Sequence, residues 1–205
     1  MRLRPSASRA KQASTDLGIN SGAHLCFRYP PKAVIHRTEL KGTSMPRIED
    51  RLSDLGLQLP QRFVLPAGMV LPFAWINVRG DRAYISGHGP QQADGSPAGP
   101  FGPVGGSVTV EEARESAGRV ALSMLGSLKR ELGDLDRIAG WCRVHGMVNC
   151  VSEFSATPEV INGFTDVIHQ VFGLEIGRHA RTAVGVAGLP FNFPVEIEAE
   201  VLVAV

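Results

Sequence analysis

Close to the C-terminus, Glu196, Glu198 and Glu200 alternate with Val195, Ile197 and Ala199. Successive side chains of a strand point to opposite faces, so this run predicts a strand with one apolar face and one wet face. A sheet built on such a strand needs an apolar layer on one side, and two upstream segments can supply it. Thr109 with Glu112 reads as a capping box. Behind it Val110, Ala113, Ala117, Val120, Ala121, Met124, Leu128 and Leu132 recur at helical spacing, and Gly133 is placed to end the run. A second helix opens at Thr157–Pro158, with Pro in its first turn. Val160, Ile161, Phe164, Val167, Ile168 and Val171 form its apolar side, and Gly173 is expected to close it.

The other segments complete the pattern. Ile48, Leu52 and Leu55 predict a short amphipathic helix followed by Gly56. Pro66 to Pro72 reads as an extended connector. Phe73–Arg79 and Arg82–Ser86 flank Gly80–Asp81 as a hairpin. From Gly87 to Ser107 the chain carries seven glycines and four prolines, which predicts a long loop. Long loops inside compact domains are often functional. Ile138–Val151 is rich in β-formers, and Thr182–Val186 and Val195–Val205 read as strands around the turn-like Gly188–Pro194. The order β-β-α-β-α-β-β implies an α/β fold with both helices packed on one face of a sheet. The other face needs cover, most simply from another copy of the chain, so an oligomer is expected.

The 205 residues are 43% hydrophobic and 20% charged, which suits a globular domain with a real core. No apolar stretch is long enough to span a bilayer, and a soluble, cytoplasmic protein is expected. The charge is unevenly placed: residues 1–44 carry +6 and the rest −5. An acidic body argues against nucleic-acid partners. Residues 1–44 are rich in Arg, Ser and Pro without periodicity, and are expected to be a disordered basic extension to a domain spanning 45–205. A transit peptide, a basic arm and an upstream extension before a true start at Met45 all fit that segment; the last is favoured. Cys26, Cys142 and Cys150 form no CxxC pair, so no metal site is expected. The even offset between Cys142 and Cys150 would put both on one face of a strand, as small core side chains.

The segment most informative about chemistry runs from His179-Ala-Arg181-Thr through Leu189-Pro190 to Val195-Glu-Ile-Glu-Ala199. Tyr84-Ile-Ser86-Gly87 opens the long loop, and Val160-Ile-Asn162 lies at the start of the second helix. In this order and spacing the set resembles the reactive-intermediate deaminase (RidA/YjgF) family, also known as endoribonuclease L-PSP-like, over essentially all of residues 45–205. The resemblance implies a chorismate-mutase-like fold, with a mixed sheet, two helices on one side, and a homotrimer with clefts between subunits. It also implies hydrolysis of enamines and imines to 2-keto acids and ammonia, with no metal or cofactor.

Carried onto this chain, the family's carboxylate-binding arginine falls on Arg181; a guanidinium fork grips a planar carboxylate through two parallel hydrogen bonds. The acid that orients the attacking water falls on Glu196. Backbone at Gly87 and Ala183 would present hydrogen-bonding groups to the substrate. Asn162 either lines the cleft or is a packing amide, and His88, where many relatives have an amide, is a candidate cleft residue. Phe73 stands where the family has a pocket tyrosine, and Ala183 where it often has a cysteine, which leaves the substrate and the survival of catalysis open. His179 could titrate near neutrality or pack at the strand entrance, whereas His145 and His169 read as surface or packing residues. Besides a deaminase, the residues allow a non-catalytic binder or regulator that takes small carboxylates. A ribonuclease is disfavoured by the acidic body and the few tyrosines and tryptophans available for stacking.

Overall fold

In the computed structural model, residues 47–204 are described. The basic segment 1–44, Cys26 and Met45 lie outside them. The elements are α1 (Ile48–Asp54), β1 (Ile76–Arg79), β2 (Arg82–His88), α2 (Val110–Leu132), β3 (Ile138–Asn149), α3 (Thr157–Gly177), β4 (Ala180–Val186) and β5 (Val195–Val203). Short 3-10 turns occupy Leu135–Arg137 and Pro190–Asn192. The order matches the one expected from the sequence. The sheet runs β1-β2-β5-β3-β4; β3 and β4 are parallel, and the other neighbours are antiparallel. It is therefore a mixed sheet.

The core lies between the sheet and helices α2 and α3. Val120, Ala121, Met124 and Leu128 of α2 and Ile161, Phe164 and Ile168 of α3 are fully buried together with Val144 and Val148 of β3 and Ile197 and Val201 of β5. The capping box opening α2 is formed: Glu112 N donates to Thr109 Oγ1 at 3.2 Å, and Thr109 N donates to Glu112 Oε2 at 2.9 Å. Such a cap contributes about 1 kcal/mol. The two long helices approach closely at Gly163, where a β-carbon would lie 2.8 Å from the Arg114 carbonyl carbon. Among the described residues no helix is long and apolar enough to cross a membrane.

Several boundaries differ from expectation, for identifiable reasons. Leu55 is 43% exposed and caps α1 instead of joining its buried side, which consists of Ile48 and Leu52. Gly173 breaks the helical geometry of α3 with φ 71°, but one further turn follows it to Gly177. β4 starts at Ala180, so Arg181 sits within a strand. β1 starts three residues late, at Ile76.

Two bulges matter most. Ile85 pairs with Ala199 and His88 with Ile197, so β2 spends one residue more than β5 over this stretch and continues into the expected loop. A bulge switches which face later residues occupy, and here it turns His88 onto the helix side with Ile85. A second irregularity, between Trp141 and Arg143, does the same to β3. Cys150 consequently packs against the core, while Cys142 lies near Glu200 and Arg82, the residues whose charges act on its thiol. The two cysteines do not share a face, contrary to the simple even-offset expectation.

Candidate functional site

Glu196 is the second residue of β5 and lies opposite Met147 of β3, on the face away from the helices. Its side chain reaches over Gly87: a β-carbon at that position would collide with the Glu196 carboxylate and lie 2.9 Å from its Cδ. The bulge in β2 creates this arrangement by leaving Gly87 on the open side as His88 turns inward. Glu196 and Gly87 line a cavity of about 360 Å³ with Phe63, Leu65, Phe73, Trp75, Phe191 and neighbouring apolar groups. Burial, seconded by the nearby charge of Glu198, pushes the Glu196 carboxyl above the usual carboxylate range. Among the described residues no basic side chain pairs with it.

Arg181 is placed elsewhere. It lies opposite Val144, whose side chain is buried under the helices, so it also points to the helix side. Its Nη1 donates to Asn162 Oδ1 at 2.9 Å and to Thr165 Oγ1 at 3.0 Å, and its Nη2 to the Pro158 carbonyl at 3.4 Å. Asn162 therefore holds the arginine within the chain. The hydroxyl of Thr165 in turn lies 3.2 Å from His179 Nε2, while His179 Nδ1 lies 2.7 Å from the Gly177 carbonyl. One proton arrangement satisfies every atom: Nδ1–H donates to Gly177, and Nε2 accepts from Thr165 O–H, whose oxygen accepts from Arg181. Burial keeps the His179 imidazole below its ordinary value, helped by His169 and Arg181 and opposed by the Gly177 carbonyl. His179 is thus a neutral packing residue that braces Arg181 through Thr165.

Within one chain the two principal residues do not meet. Arg181 is level with Ala199, three residues along from Glu196 and two strands across, which is about 14 Å between Cα atoms from ordinary strand rise and spacing. They also face opposite sides of the sheet. Ala183 packs against the core, and its carbonyl accepts from Thr157 Oγ1 at 3.3 Å. That carbonyl is thereby engaged within the chain.

His88 is corrected by the structure. It is 1% exposed, with Nδ1 2.6 Å from the Ser86 carbonyl and Nε2 2.9 Å from Ser127 Oγ of α2. Desolvation lowers its pKa to about 4, the Arg130 charge adding to the effect and the Ser86 carbonyl opposing it. It is a core histidine and no part of the cavity. Phe73 does line the cavity, as expected. Thr165, Phe63, Phe191 and Phe193 were not singled out from the sequence. The aromatic spacing of Phe191 and Phe193 after Leu189-Pro190 was the one available signal.

A two-layer α/β protein with a half-buried acid at a strand start and a braced arginine on an edge strand is the class this geometry defines. No sequence-family profile matches the chain. Protein TCP17 of Trypanosoma cruzi is 37% identical over 153 residues, 75% of this chain and 92% of that protein. The crystal structure of Atu1372 from Agrobacterium tumefaciens, of unknown function, is 39% identical, covers 77% of this chain and 92% of its own, and superposes with a TM-score of 0.68. A structure from Shewanella oneidensis MR-1, named only provisionally as an endoribonuclease, has the same TM-score at 26% identity and covers 77% of this chain and 99% of its own. The chain belongs to the RidA/YjgF family.

Proposed function

We propose that the protein is a cofactor-independent deaminase that hydrolyses reactive imines, and enamines after tautomerisation, to 2-keto acids and ammonia. The observation that carries the proposal is the Glu196 carboxyl, raised by burial and set over the Gly87 backbone in an apolar cavity. A carboxyl with a raised pKa is a better proton acceptor than an ordinary one, and can take a proton and give it back. In the proposed reaction water adds to the imine carbon as Glu196 accepts its proton. That proton passes to the imine nitrogen to give the carbinolamine. The carbinolamine's hydroxyl proton then passes through Glu196 to the amino group, the C–N bond breaks as the C=O forms, and ammonia leaves the 2-keto acid. Arg181 holds the substrate carboxylate. Because Arg181 and Glu196 of one chain stand apart, the working site pairs Arg181 of one copy with Glu196 of another, in a homotrimer with clefts between subunits.

Cytoplasmic residence and small-molecule partners follow from the same proposal. The competing reading, a carboxylate binder without turnover, is favoured by Phe73, which contributes a ring but no hydroxyl to the cavity. Release of ammonia and keto acid from imines generated in situ by an amino-acid oxidase separates the two. Turnover by the wild type that disappears in Arg181→Ala supports the deaminase, and keto-acid binding without any turnover supports the binder.

A further inference from the structure

We infer that the cavity over Glu196 selects imines and 2-keto acids whose side chain is large and apolar, aromatic above all. The inference takes its chemistry from the proposed deaminase site, whereas the binding preference stands on the cavity alone. At roughly 30 Å³ per water-sized group, a space of about 360 Å³ accepts about a dozen non-hydrogen atoms. That is room for the ring and methylene of an aromatic side chain, where the methyl group of pyruvate would occupy a single such volume. Phe63, Leu65, Leu71, Phe73, Trp75 and Phe191 supply most of its wall, and Glu196 is the charged residue among its lining groups. A ligand carboxylate is repelled from Glu196, so the apolar end of the molecule is the part that fills the space.

The wall is built rather than incidental. Phe63 meets Trp75 edge-on with ring centroids 6.0 Å apart and Phe191 at 5.5 Å, and Phe73 meets Trp75 at 5.9 Å. Aromatic rings locked edge to face form a rigid surface. Phe191 adopts a left-handed backbone with φ 56°, unfavourable for a bulky residue and sustained only where surrounding contacts impose it, and Asn192, a residue that tolerates this region, follows with the same φ. Those contacts are present: Asn149 Nδ2 donates to Asn192 Oδ1 at 3.1 Å and to the Phe193 carbonyl at 3.2 Å, and Gly102 N donates to the Asn192 carbonyl at 2.8 Å. Gly89 leaves room for the Phe193 ring, since a β-carbon there would lie 3.1 Å from Cζ and closer still to its neighbours. The opposite wall is tied down by Gln61 N to the Ala93 carbonyl at 3.0 Å and Val64 N to the Gly95 carbonyl at 2.9 Å.

A methyl side chain would leave most of this space without partner atoms, whereas a phenyl or indole ring fills it. One methylene in a snug apolar pocket is worth about tenfold, so phenylpyruvate should bind at least about 30-fold more tightly than pyruvate by calorimetry on the full-length protein. The kcat/KM for the imine of phenylalanine should exceed that for the imine of alanine by a similar factor. Leu71→Asp, on the partly exposed connector, should cut the preference for phenylpyruvate over pyruvate at least tenfold. Equal binding of the two keto acids overturns the inference, as does a preference untouched by Leu71→Asp; a second copy's chain occupying the cavity would give the first result. If no imine is turned over but phenylpyruvate still binds preferentially, the deaminase proposal fails and the selectivity of the cavity stands.

Discussion

Acidification should place a proton on His88, a ring that the core cannot solvate. The ring is 1% exposed, rests against Trp75 at 4.9 Å, and has its nitrogens within reach of the Ser86 carbonyl and Ser127 Oγ. Arg130 also donates to Ser127 Oγ, at 3.1 Å, so the hydroxyl hydrogen is free for His88 Nε2. A protonated ring would have two donors, and Ser127 would lose its acceptor. The pKa is about 4 in the folded chain against 6.5 for the ordinary ring. A depressed folded pKa means that the unfolded chain takes up the proton first, so the contribution is complete above pH 6.5 and is lost as the pH falls towards 4. The full difference is worth about 3 kcal/mol, of which about 2.5 kcal/mol is gone by pH 4.5. Urea unfolding of wild type and His88→Gln, at one protein concentration and at pH 7 and 4.5, isolates this residue from the carboxylates common to both. Wild type should lose about 2.5 kcal/mol more than the variant between the two pH values. Equal losses would refute the assignment of His88 as a neutral core residue.

Two further substitutions probe the surroundings of Arg181 and the helix contact. Thr165→Val removes the hydroxyl between Arg181 and His179, and should weaken 2-keto-acid binding several-fold in calorimetry with little change in turnover at saturation. Gly163→Ala drives a methyl into the Arg114 backbone, and should destabilise the fold by about 1–3 kcal/mol in denaturant titration, since neither helix can yield locally.

The helices were legible because cap, stripe and stop coincide: Thr109 and Glu112, the apolar run, and Gly133 all agree, and so do Thr157–Pro158 and the side Val160–Val171. The alternation from Val195 to Ala199 likewise fixed which face of β5 is wet, and with it the orientation of Glu196. The bulges were not legible. One extra residue between Ile85 and His88 inverts the faces of everything after it, and a single glycine at position 87 does not announce it. His88 was therefore expected in the cleft and is found in the core. The aromatic cavity was hidden for another reason. Phe63–Trp75 and Phe191–Phe193 are far apart in the chain, and meet because β2 pairs with β1 on one side and β5 on the other. Thr165 carried no signal, since a lone threonine on a helix has many uses.

The central claim is that Arg181 of one copy and Glu196 of another complete the same site. Co-expression of Arg181→Ala and Glu196→Gln with two different tags, followed by isolation of assemblies carrying both, tests it through imine hydrolysis. Each variant alone lacks one partner in every site and should be nearly inactive. In each mixed trimer one of the three intersubunit sites pairs an intact Arg181 with an intact Glu196, so about a third of wild-type turnover should return. No recovery in the mixed assemblies, with the wild type active, would contradict the shared site.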